Sequence, residues 1–121
     1  KQLDFLPSGN ILYAPLRNSL DVFSLRPIVK AMRENDIEII HSHVARDYPI
    51  SALASFFSQK PLVLTRHIAH KLKFLHRLTF RQVAKVIAVS NGVAESLLNN
   101  RAVSKEKVSI IYNGVDVEKY E

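Results

Sequence analysis

Four polar residues of this 121-residue chain, His43, His67, Ser90 and Asn113, each close a short apolar run, at intervals of 24, 23 and 23 residues. A neutral imidazole hydrogen-bonds a hydroxyl or moves a proton near neutral pH. Arg66, beside His67, offers a planar fork for a phosphate or carboxylate; the plain alternative is that both are solvated loop residues. Ser90 precedes a helical pattern, so its first task is to cap the helix amides, and the same amide cluster can hold an anion. Asn91-Gly92 and Asn113-Gly114 read as tight turns whose glycines accept positive φ.

His41 and His43 stand two apart at a strand end, where paired histidines can form half of a zinc site. The remaining ligands would have to be His67 or His70, and no acid lies near them in sequence. The expectation is therefore no metal, with His41 structural and turned back toward the sheet, and His43 at the tip facing a ligand. Other chemistry is excluded. Zero cysteines remove disulfides, thiolate nucleophiles and zinc ribbons, and suit a reducing cytosol. Three glycines in all form no phosphate loop of standard spacing, no serine stands at a nucleophile elbow, and no carboxylates pair for acid/base work.

The near-constant interval is one strand plus one crossover helix, the alternation that builds a parallel sheet. The expected strands are Asn10–Pro15, Ile37–His41, Pro61–Thr65, Lys85–Val89 and Lys107–Ile111. The expected helices run from a cap at Ser19 or Asp21 to about Asn35, with Pro27 causing a kink or a later start, then Tyr48–Ser58, Ala69–Ala84 and Gly92–Asn99. The fold class is α/β: a Rossmann-like, mostly parallel sheet flanked by helices, in one domain over residues 1–121. Parallel strands put their carboxyl ends on one edge, where open α/β sheets bind ligands, so the four polar tips converge on one rim.

Hydrophobic residues at 47% against 23% charged describe a globular chain, and no apolar run approaches the ~20 residues that span a bilayer. The net charge of +6 favours an anionic partner. The excess is local. From Asp47 to Glu95 there is no intervening acid, while Lys60, Arg66, Lys71, Lys73, Arg77, Arg81 and Lys85 fall there. On the expected Ala69–Ala84 helix, His70, Lys73, Arg77 and Arg81 share a narrow arc, with Leu72, Phe74, Leu75, Leu78 and Val83 assigned to the core side. Phe80 is expected beside Lys73, outside the apolar arc. A solvated face explains most of this. The functional reading is a stripe of Lys73, Arg77, Phe80 and Arg81 resting on anionic headgroups or gripping a lipid-linked acceptor.

Four segments in register resemble the N-terminal domain of glycosyltransferase family 4, retaining nucleotide-sugar-dependent enzymes of the GT-B fold. Val86-Ile87-Ala88-Val89-Ser90 and Lys107-Val108-Ser109-Ile110-Ile111-Tyr112-Asn113-Gly114-Val115-Asp116 resemble its closing strands. Asp36-Ile37-Glu38-Ile39-Ile40-His41-Ser42-His43 matches its D-h-h-H-x-H strand, and Leu64-Thr65-Arg66-His67 its T-x-H strand.

The resemblance implies two Rossmann-like domains across a cleft, acceptor on the N-terminal one and nucleotide-sugar on the other. It implies that His67 reaches a hydroxyl of the transferred sugar, that His43 and Arg46 line the acceptor side, and that Asn113-Gly114 leads to the interdomain linker. Arg66 and Ser90 complete the expected substrate-binding set, and no catalytic residue is assigned. The donor would be a UDP-, GDP- or ADP-linked sugar for the full enzyme, with no cofactor on this chain. The acceptor would be a glycan or a lipid-linked glycan, in cell-envelope glycan synthesis, in the cytoplasm or peripherally on the inner face of the membrane.

The family's first strand and glycine-rich turn are expected before Lys1, and the donor domain with its E-x7-E carboxylates after Glu121. The chain alone is therefore expected to be inactive. The missing strand would leave the Ile39 strand with an open edge, closed by the Ile11 strand or by a second chain in a dimer. The alternative is a non-enzymatic basic α/β module binding nucleic acid or an anionic membrane. Nucleic acid is disfavoured because Phe80 is the only aromatic on the stripe to stack a base. An epimerase-like relative of the same architecture is a third reading, opposed by the T-x-H and Asn113-Gly114-Val115-Asp116 pieces.

Overall fold

The computed structural model describes residues 11–14, 21–70, 74–101 and 103–114. In chain order the elements are α1 (Val22–Glu34), β1 (Ile40–Ser42), a 3₁₀ turn (Ala45–Asp47), α2 (Tyr48–Ser58), β2 (Leu62–Arg66), α3 (Phe74–Gln82), β3 (Val83–Ala88), α4 (Asn91–Asn99), a second 3₁₀ turn (Lys105–Lys107) and β4 (Val108–Ile110). The strands form one sheet in the order β1-β2-β3-β4, every pair parallel. Successive right-handed crossovers that step in one direction put their helices on one face. The core lies there, between Leu62, Leu64, Val86 and Ala88 of the sheet and Tyr48, Phe80, Val93 and Leu97 of the helices.

The local chemistry accounts for the boundaries. Asp21 caps α1, its carboxylate accepting from the Phe23 and Ser24 amides at 3.1 and 3.4 Å. The helix starts on time and runs through Pro27. It closes when the Ile37 amide bonds back to the Met32 carbonyl at 2.9 Å. That bond takes Ile37 out of the strand expected from it, and the ladder begins only at Ile40, opposite Leu62. α2 has the expected bounds and stops at Gln59, which takes the left-handed conformation at φ 58°. Period-2 alternation would put Val83 and Val86 on opposite faces, yet both are buried. A bulge reconciles them: Leu62 pairs with Val83 but Val63 with Lys85, so Ala84 is extra.

Three expectations give way. Ile11–Ala14 is not a strand, and β1 has only β2 beside it among the described residues; a strand without a ladder partner has nothing to hold it. Asn10 and Pro15 lie outside the described residues. The third helix is shorter than expected: Ala69 and His70 are not helical, and Val83 and Ala84 already belong to β3. The Asn91-Gly92 turn is instead the first turn of α4, and neither described glycine has positive φ.

Candidate functional site

The carboxyl ends of β1 and β2 carry the chemistry. Ser42 pairs with Leu64, so His41 and Thr65 rise from the same side of adjacent strands. His41 Nε2 lies 2.8 Å from Thr65 Oγ1, the structural role expected for this ring. Beyond it the His41 and His43 rings stand 4.2 Å apart, and His43 and His67 stack at 5.9 Å. Burial, and then the neighbouring His43, lower the pKa of His41 from its ordinary value of 6.5. Among the described residues no group of three or more His, Cys, Asp or Glu side chains is arranged to hold a metal ion.

On the core side of the same rim, Tyr48 is 1% exposed and donates its hydroxyl to the Thr65 carbonyl at 2.7 Å. Its ring meets Phe80 and His76 edge-on. Burial raises its pKa, against the opposing pull of the nearby Arg66 guanidinium. Arg66 itself is 7% exposed, and its Nη2 donates to the His70 carbonyl at 2.9 Å, folding the loop after β2 back on the strand.

These residues enclose an open cleft of about 470 Å³. The structure thus brings His43, Arg46, Arg66 and His67 together in one place. Ser90 and Asn113 end the next two strands on the same rim but do not line the cleft, nor does Gly114. Ser90 instead caps α4, its hydroxyl accepting from the Val93 amide at 3.3 Å, and the Tyr112 hydroxyl reaches Asn91 Oδ1 at 3.2 Å. Sequence reasoning missed Tyr48, His70 and His76 as cleft residues. Tyr48 carried a usable signal, since a tyrosine opening an apolar helix needs a partner for its hydroxyl.

The basic stripe does not form as expected. Phe80 is 2% exposed and belongs to the core. His76, Thr79 and Phe80, at i, i+3 and i+4, make the inward face of α3, with Leu78 outward. His70 is in a loop, Lys73 lies outside the described residues, and Arg77 and Arg81 are exposed on the helix. No helix among the described residues is long and apolar enough to cross a membrane.

The model of Glycosyltransferase Family 4 matches residues 6–119. A search of curated proteins found no significant match. Among solved structures, a glycosyltransferase from Rickettsia africae ESF-5 superposes with a TM-score of 0.77 at 22% identity, covering 99% of this chain and 33% of its own. Anabaena Alr3699/HepE in complex with UDP gives a TM-score of 0.70 at 24% identity, covering 80% of this chain and 28% of its own. Its complex with UDP-glucose gives the same values. At these identities the likeness is one of fold, and the chain spans about a third or less of these proteins' lengths.

Proposed function

Since the chain belongs to glycosyltransferase family 4, we propose that it forms the acceptor side of a transferase that moves a sugar, with retention, from a nucleotide-sugar to a glycan or lipid-linked acceptor. The observation that carries this reading is the convergence of His43, Arg46, Arg66 and His67 on one cleft at the carboxyl ends of β1 and β2. Parallel sheets bind ligands at that edge, and a cleft of about 470 Å³ suits one or two sugar rings.

The roles follow from position. His67 is exposed and its ring stacks on that of His43. Its ring nitrogens are available to a hydroxyl of the transferred sugar. His43 and Arg46 border the acceptor, and Arg66 fixes the loop after β2, which carries His67, by donating to the His70 carbonyl. Retaining transfer depends on stabilising the departing diphosphate by fixed charge. That charge belongs to a donor domain outside this chain, and the cleft described here supplies orientation. Support for the nucleotide-sugar comes from HepE, whose structures hold UDP and UDP-glucose.

The test is to supply UDP-, GDP- and ADP-linked sugars to the full-length gene product and to this chain alone. Transfer is expected from the former and none from the latter. A gene product of this chain's size, or turnover by the chain by itself, would sink the reading.

A further inference from the structure

Resting on the acceptor-side reading above, we propose that the acceptor carries an oxyanion, a phosphate or a carboxylate, and that the cleft at the ends of β1 and β2 binds it through Arg66 and Arg46. Arg66 is the unusual residue. It is a permanent cation, buried to 7% exposure, and its guanidinium meets neutral oxygens, donating to the His70 carbonyl and bonding the Tyr48 hydroxyl. A guanidinium has five N–H donors. The nearby Tyr48 hydroxyl is neutral and already donates to Thr65, so neither contact supplies a counter-charge. Burying a cation without an anion is costly, and such residues normally meet one.

Among the described residues the cleft offers no anion. None of the described residues lining it is acidic, and Arg46, His43, His67 and His70 join Arg66 there. The sequence repeats the pattern, with no Asp or Glu from Tyr48 to Ala94. A ligand oxyanion on the Arg66 guanidinium supplies that counter-charge, with Arg46 lining the same cleft. The fork geometry of arginine matches phosphate and carboxylate oxygens pairwise. The stacked imidazoles at the mouth then serve the neutral hydroxyls of the same acceptor.

The experiment is an NMR titration of the 121-residue chain, reading the imidazole resonances of His43 and His67, with glucose, glucose 6-phosphate and glucuronate as probes. The proposal expects saturable shifts with at least one anionic sugar, bound about tenfold or more tighter than glucose. Phosphate against carboxylate is decided by which of the two binds better. Arg66→Lys keeps the charge but loses the fork, and is expected to weaken the anionic probe about tenfold. Because Arg66 is part of the packing around Tyr48, the exposed Arg46→Ala is the second variant, expected to weaken the same probe with the fold intact. If glucose binds as tightly as its charged forms, the oxyanion is wrong and the acceptor-side reading stands. If no probe moves either resonance, both fail.

Discussion

Thr65 is the residue on which the rim is built. Its hydroxyl meets His41 and its carbonyl accepts from Tyr48, so one strand end ties the histidine row to the core helix. Tyr48→Phe keeps the ring packing on Phe80 but leaves a buried carbonyl short of its donor. It is expected to cost about 1 kcal/mol in chemical denaturation, and an unchanged midpoint would show that water replaces the bond. His41 gives a pH dependence of definite sign. Its pKa is lowered in the fold, so the unfolded chain binds the proton more readily. Its contribution is intact above the unfolded value of 6.5 and is lost as the pH falls toward the lowered folded value. The denaturation midpoint of the chain should drop from about pH 7 to pH 5, and less in His41→Gln; equal drops would assign the effect elsewhere. At this scale the sequence was informative where a residue type has one use. Ser90 as a cap and His43 with His67 as neighbours were legible. The partner of Arg66 was not, because the His70 carbonyl is reached only by a loop whose path depends on the surrounding fold.

The elements were legible in kind and order, and less so in phase and length. β1 to β4 follow from apolar runs separated by crossover helices, and their parallel order from the near-equal spacing. The phase of α3 was misjudged because Leu78, which is exposed, and Val83, which belongs to β3, were counted in its apolar arc. The inward face of Phe74–Gln82 is the one with Thr79 and Phe80, and the basic residues that remain described, Arg77 and Arg81, are a solvated face. Phe80→Ala is therefore expected to destabilise the chain by about 3–5 kcal/mol, as for any buried aromatic; a loss below about 1 kcal/mol would return Phe80 to the surface. In α4, Gly92 sits in the first turn and an added Cβ would meet nothing within 4 Å. Gly92→Ala should gain up to about 1 kcal/mol from helix propensity and reduced unfolded-state freedom. A loss would mean the glycine is held for a ligand or a partner.

For the whole molecule, the strand order turns sequence spacing into geometry: each crossover returns the chain to the same edge, and the residues after each strand become neighbours. β1 and β2 do this most closely, because their tips bring two histidines within stacking distance and set two arginines around the same cleft. This convergence, and not any single motif, carries the functional reading. It also separates His67 from the structural residues around it, since its exposed ring contributes little to the packed core. The most direct measurement is sugar transfer by the full-length protein with His67→Ala against the unaltered enzyme, with thermal unfolding recorded in parallel. The account predicts an unchanged unfolding temperature and a loss in transfer on the order of a hundredfold, the scale of a misplaced substrate. Transfer at the unaltered rate by a folded His67→Ala enzyme would contradict it.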